Sequence, residues 1–172
     1  MAVREIVTLG NKVIRRKAQM VEGFGPELQT LIDDMIETMR AAPGVGLAGP
    51  QVNTPLRVIV VEFGDEEDDE APKKLYSLVN PEISRSSPET ILAAEGCLSV
   101  PGLVGDVERP AAVTVIGKNR RGQSLKIKAT GWLARVFQHE IDHINGILFL
   151  DRAEKVYEPV EEESPEQEEA EI

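Results

Sequence analysis

Residues 130–146 read TGWLARVFQHEIDHING, and the reading of this stretch decides the fold. A helix is expected from about Trp132 to Asn145, on which Trp132 and Val136 project within about 60° of His139, so that this face is expected to be buried. Gly146 is placed to close that helix in a left-handed conformation. On a helix turning about 100° per residue, His143 stands about 40° around from His139 and one turn on. Glu140 falls about 60° from His143 on the same side. Both of the chain's histidines lie in this segment. Two imidazoles one turn apart can share a metal ion, and the carboxylate between them can serve as a general base without being a ligand, the logic of H-E-x-x-H.

Working outward, Leu28, Leu31, Ile32, Met35, Ile36 and Met39 trace a helical stripe through Pro26–Ala42, begun by Pro26 and stopped by Pro43-Gly44. The run Gly44-Val45-Gly46-Leu47-Ala48-Gly49-Pro50-Gln51 reads as a tight, shaped loop. RVIVVEF, residues 57–63, is β-branched and strand-like. Leu75–Val79 reads as a strand ended by Asn80-Pro81, and Ala112–Lys118 with Gln123–Thr130 as a hairpin across Asn119–Gly122. Ile147–Leu150 reads as extended. These elements predict an α+β fold, with mixed or antiparallel sheets packed around a central metal-binding helix.

The chain has 172 residues, 41% hydrophobic and 28% charged, enough for one domain with a real core. We expect a single metallohydrolase domain over residues 1–157 and a disordered acidic tail over 158–172. The net charge of −11 is uneven. Residues 158–172 carry eight Glu and no basic residue, and residues 62–70 carry seven acidic residues and no basic one. The fifteen acidic residues that remain are outnumbered by 19 basic ones. Both acidic blocks are expected to be solvated, the first as a long hairpin connection, and neither suits a phosphate backbone. No direct nucleic-acid binding is predicted. No apolar run reaches the roughly 20 residues needed to cross a bilayer, so no membrane role is expected. No secretory signal is read at Met1–Gly10, and Cys97 is the one cysteine, so a cytoplasmic, reducing setting is expected.

Two imidazoles make an incomplete metal site. A third ligand could be a carboxylate or Cys97, and residue chemistry leaves zinc, iron, cobalt and nickel all open. Asp142 could pair with Arg109 as a brace. Arg135, one turn before His139, could pair with a carboxylate or line the substrate path.

Three separated segments resemble the motifs of the peptide deformylase family: Gly44–Gln51, then Glu95-Gly96-Cys97-Leu98-Ser99, then Gln138-His139-Glu140-Ile141-Asp142-His143. Their order and spacing also match, over about residues 4–152. Where the family's first motif usually has alanine, this chain has Gly49, and its acidic tail differs from the basic C-terminal helix of some bacterial members. The resemblance implies a metal-dependent hydrolase that removes the formyl group from the N-terminal formylmethionine of nascent polypeptides and releases formate. It implies one divalent metal on Cys97, His139 and His143, Fe(II) natively, with Zn, Ni or Co able to substitute. It assigns Glu140 as the base, and the Gln51 side-chain amide and Leu98 backbone N–H as donors to the oxyanion. It places the N-formylmethionyl peptide beside Val45 and Gly46, and transient proximity to the ribosome goes with that substrate. Val45, Trp132 and Val136 are candidates for the wall of a methionine pocket.

Overall fold

The computed structural model describes residues 1–159. The acidic tail expected from residue 158 lies, from 160 onward, outside the described residues. The elements in chain order are α1 (Pro26–Ala41), β1 (Gly46–Ala48), β2 (Val58–Phe63), β3 (Lys74–Ser86), β4 (Thr90–Cys97), β5 (Val100–Pro110), β6 (Ala112–Lys118), β7 (Ser124–Thr130), α2 (Gly131–Ile144), α3 (Phe149–Arg152) and β8 (Lys155–Tyr157). One sheet has the order β1-β2-β3-β6-β7 and the other β4-β5-β8. Every strand pairing is antiparallel.

Strand β2 shows why the large sheet carries a helix on each face. Successive strand residues point to opposite sides. Ile59 and Val61 pack with Val136, Phe137, Ile141 and Ile144 of α2. Val58 and Val60 pack with Leu31, Ile32, Met35 and Met39 of α1. A strand buried on both faces needs apolar residues at consecutive positions, which is what residues 58–61 supply. The small sheet closes a third cluster, in which Cys97, Val100 and Val107 meet Val13, Ile14, Leu148 and Phe149.

Helix α2 is held at both ends by side chains from elsewhere. At its start, Glu66 of the acidic β2–β3 connection accepts from the backbone N–H of Trp132. At its end, Arg57 donates to the Ile144 carbonyl and to Asn145 Oδ1, both at 2.9 Å. Anion at the N-terminus and cation at the C-terminus both suit the helix dipole. Gly146 follows with φ +76°, and a Cβ there would stand 2.7 Å from the Arg15 carbonyl oxygen.

Three local expectations are corrected. Strand β3 does not end at Asn80-Pro81 but continues to Ser86. Its pairing with β6 shifts register between Val79 and Glu82, a bulge that accommodates the missing N–H of Pro81. Asn80 sits there at φ 52°, held by Val21, whose N–H donates to Asn80 Oδ1 and whose carbonyl accepts from Nδ2. Second, Ile147–Leu150 is not an extended run, because the short helix α3 begins at Phe149. The Leu148 N–H donates to Asp151 Oδ2 at 2.8 Å and so nucleates that turn. Third, the loop over Gly44–Gln51 contains strand β1 and a 3-10 turn, Gly49–Val52.

Candidate metal centre

The helix brings His139 and His143 to one face, and the end of β4 brings Cys97 to them. Cys97 Sγ lies 3.3 Å from His143 Nε2, and the two Nε2 atoms lie 3.2 Å apart. One ligand atom from each of the three residues falls within 4.8 Å of the others, and all three residues are buried. Donors about 2.0–2.3 Å from a shared tetrahedral ion sit roughly 3.3–3.6 Å apart, so the observed spacings fit one small dication. The chemistry of the trio fits as well. Burial, above all else, pushes the Cys97 thiol up to about 12, so a nearby cation is what would make it a thiolate. Burial, then the neighbouring His139 and Arg109, holds His143 well below the ordinary imidazole value, hence neutral and able to donate a lone pair.

Glu140 completes the constellation. It is fully buried, and neither carboxylate oxygen has a hydrogen-bond partner among the described residues. Burial raises its pKa well above the ordinary carboxylate value, with the charge of Glu95 adding to the effect and Arg109 opposing it. A carboxylate with its proton affinity raised in this way suits accepting a proton.

Gln51 is also fully buried. Its Oε1 accepts from the Ala48 N–H at 3.0 Å, which turns Nε2 toward Ser99 Oγ at 3.1 Å and Cys97 Sγ at 3.8 Å. Leu98 follows Cys97 directly, and its Cδ1 would lie 2.8 Å from a Cβ on Gly44. Gly44, the neighbour of Val45, is therefore packed against Leu98, the neighbour of Cys97. Val45 and Trp132 are half-buried and pack with the fully buried Val136. The structure thus gathers Gln51, Cys97, Leu98, His139, Glu140 and His143 into one region, with Val45 and Gly46 along its flank.

A family model described as Polypeptide deformylase matches residues 3–158. The chain belongs to the polypeptide deformylase family. It is 48% identical to the peptide deformylase of Symbiobacterium thermophilum over 172 residues, which is all of this chain and 76% of that one. The crystal structure of the peptide deformylase from Thermotoga maritima superposes with a TM-score of 0.83 at 39% identity, covering 90% of this chain and 100% of that one. A structure of the Acinetobacter baumannii peptide deformylase bound to Met-Ala-Ser gives 0.81 at 38% identity, covering 88% of this chain and 98% of that one. Deformylases of this family are metal-dependent hydrolases, and the α+β architecture is theirs.

In this deformylase chain, Glu95 carries a role that its sequence surroundings do not announce. Glu95 Oε1 lies 2.9 Å from His139 Nδ1, which fixes the tautomer with Nε2 free for a metal. Burial works against the charge of Glu95, but hydrogen bonds from His139 and Arg109 outweigh it and hold the carboxyl below its ordinary range. Arg109 donates to both Glu95 oxygens, at 2.6 and 2.9 Å, and to Asp142 at 2.9 Å, the brace expected for Asp142. The available signal was Glu95's place two residues before Cys97, in a segment otherwise small and apolar. No helix among the described residues is long and apolar enough to cross a membrane.

Proposed function

We propose that this chain hydrolyses the N-formyl group of formylmethionine at the start of nascent polypeptides, releasing formate and a free amino terminus. Cys97, His139 and His143 hold the single divalent cation, Fe(II) in the cell, with Zn, Ni or Co able to substitute. When bound, that cation supplies Lewis acidity, which polarises a carbonyl and makes water nucleophilic near neutral pH. Glu140 takes the proton of the attacking water and passes it to the departing amine as the formyl C–N bond breaks. The Gln51 amide and the Leu98 N–H donate to the oxygen that becomes negative, and each well-placed donor of this kind is typically worth about 10²–10³-fold.

The peptide adds as a strand along Val45–Gly46. Among the described residues, strand β1 ends the large sheet and pairs with β2 alone, which leaves its other edge for main-chain hydrogen bonds to the peptide. Val45, Trp132 and Val136 wall the methionine pocket. The domain spans 1–157, and the acidic residues beyond it take no part in the chemistry. The enzyme works in the cytoplasm, in transient proximity to the ribosome. A lone buried thiol suits a reducing compartment.

The observation that carries this reading is the unpartnered, buried Glu140 carboxylate beside the Cys97/His139/His143 trio. Met-Ala-Ser, the peptide on the Acinetobacter relative, is what formyl-Met-Ala-Ser becomes on losing its formyl group. The test is formate release from formyl-Met-Ala-Ser by protein purified anaerobically, with elemental analysis of the same sample. Stoichiometric metal without formate would overturn the reading. A chain ending at residue 157 should turn over the peptide at the full rate.

A further inference from the structure

Arg135 is a buried guanidinium, 4% exposed, one turn before His139 on α2. The pair of histidines rides on this helix, whereas Cys97 rides on the β4–β5 hairpin. Arg135 spans the gap between the two. Its guanidinium donates to the Ile91 carbonyl of β4 at 2.6 Å and to the Val107 carbonyl of β5 at 2.9 Å. It also donates to Glu95 Oε2, while the other oxygen of Glu95 receives His139 Nδ1. One side chain of the helix thus grips both strands of the hairpin and the carboxylate that orients a ligand.

Charge balance alone does not call for it. Arg109 already occupies both oxygens of Glu95 and reaches Asp142, and Arg152 also pairs with Asp142. Arg109 starts from the hairpin and reaches the helix; Arg135 starts from the helix and reaches the hairpin. A buried guanidinium is costly to desolvate, and here, besides lying over the Trp132 ring of its own helix, it places all its hydrogen bonds across the gap between the Cys97 hairpin and the His139 helix.

We propose that Arg135 is a positioning residue for the metal site, clamping the Cys97 hairpin to the His139/His143 helix and acting through Glu95. The proposal rests on the metal-site reading above. A residue of this kind changes how tightly the metal is held, because ligands that are mis-spaced by a few tenths of an ångström bind with poorer geometry. Loss of such outer support typically costs about 10–100-fold in metal affinity.

The test uses the full chain with Co(II), whose thiolate-to-metal absorption reports Cys97 directly, and chelator competition for affinity. The variants are Arg135→Met, Glu95→Gln and the double substitution, with Arg135→Lys to keep the charge without the fork. Thermal melts identify the folded samples, and Arg135→Lys carries the test if Arg135→Met does not fold. The expected result is an affinity at least about tenfold lower for Arg135→Met, a shifted absorption band, a partial loss for Arg135→Lys, and little further loss when Arg135→Met is added to Glu95→Gln. Affinity and spectrum unchanged in folded variants, or an equal loss with and without Glu95, would overturn the proposal. A wild-type protein with no thiolate band would instead overturn the site reading itself.

Discussion

Gly46 of β1 and Glu140 of α2 are in direct apposition: a Cβ added to Gly46 would stand 2.6 Å from Glu140 Oε1 and 3.0 Å from its Cγ. The Glu140 side chain is fully buried, so a Cβ at position 46 would have to push it aside. Gly46 is therefore the one residue type that lets the edge of β1 and the carboxylate share this space.

Gly46→Ala should displace Glu140 while leaving the three metal donors in place. A misplacement of this size at a proton-transferring group costs on the order of 10²-fold in rate. The check is kcat/KM for formyl-Met-Ala-Ser beside metal content, with activity lost and metal kept.

Glu140→Gln and Cys97→Ser should separate proton transfer from metal holding. Glu140→Gln keeps a similar volume and should retain metal while turnover falls by about 10²–10⁴-fold. Cys97→Ser exchanges a soft sulfur donor for a hydroxyl and should lose metal in a chelator challenge that the wild type survives. Full turnover in the first variant would remove Glu140 as the base. Unchanged metal content in the second would remove Cys97 as a ligand.

Gly49→Ala tests how tightly the turn that presents Gln51 is packed. A Cβ on Gly49 would lie 2.5 Å from the Leu56 carbonyl oxygen and 2.8 Å from that of Thr54, both backbone atoms. The chain closes here, with the Thr54 N–H bonded to the Gly49 carbonyl at 3.1 Å. Alanine should destabilise the fold by about 1–3 kcal/mol and loosen the turn that presents Gln51. Urea unfolding gives the first quantity; equal stability would show that residues 54–56 shift freely.

Asp34 makes acid stability depend on the N-terminal arm. Its carboxylate accepts from the Ala2 N–H at 2.8 Å and from Arg4 Nε at 2.9 Å. The Ala2 bond, aided by Arg4 against the effect of burial, lowers its pKa. A group whose folded pKa is depressed contributes stability above its unfolded value, near 4, and loses it as pH falls through the folded value. The melting-temperature gap between wild type and Asp34→Asn should be full at pH 7 and close below about pH 4. A gap that persists at low pH would show that the ionised form of Asp34 contributes nothing.

Local chemistry made much of this protein legible. The spacing of His139, Glu140 and His143, the stripe along α1 and the apolar run of β2 depend only on residues a few positions apart, because helix and strand periods are local. Where two local rules competed, tertiary contacts decided. Asn80-Pro81 carries the marks of a strand end, yet two hydrogen bonds exchanged between Asn80 and Val21, 59 residues away, hold it as a bulge within β3. What no periodicity contains is the meeting of distant segments. Glu95 with His139, Arg135 with Ile91, Gly46 with Glu140 and Gly49 with Leu56 come about only when sheets and helices pack in one register, and packing is specified by the whole set of contacts at once. The sequence by itself determined which residues could bind a metal and move a proton; the tertiary structure decided that they lie together, because only burial and long-range apposition bring a thiol, two imidazoles and a carboxylate out of water into one place.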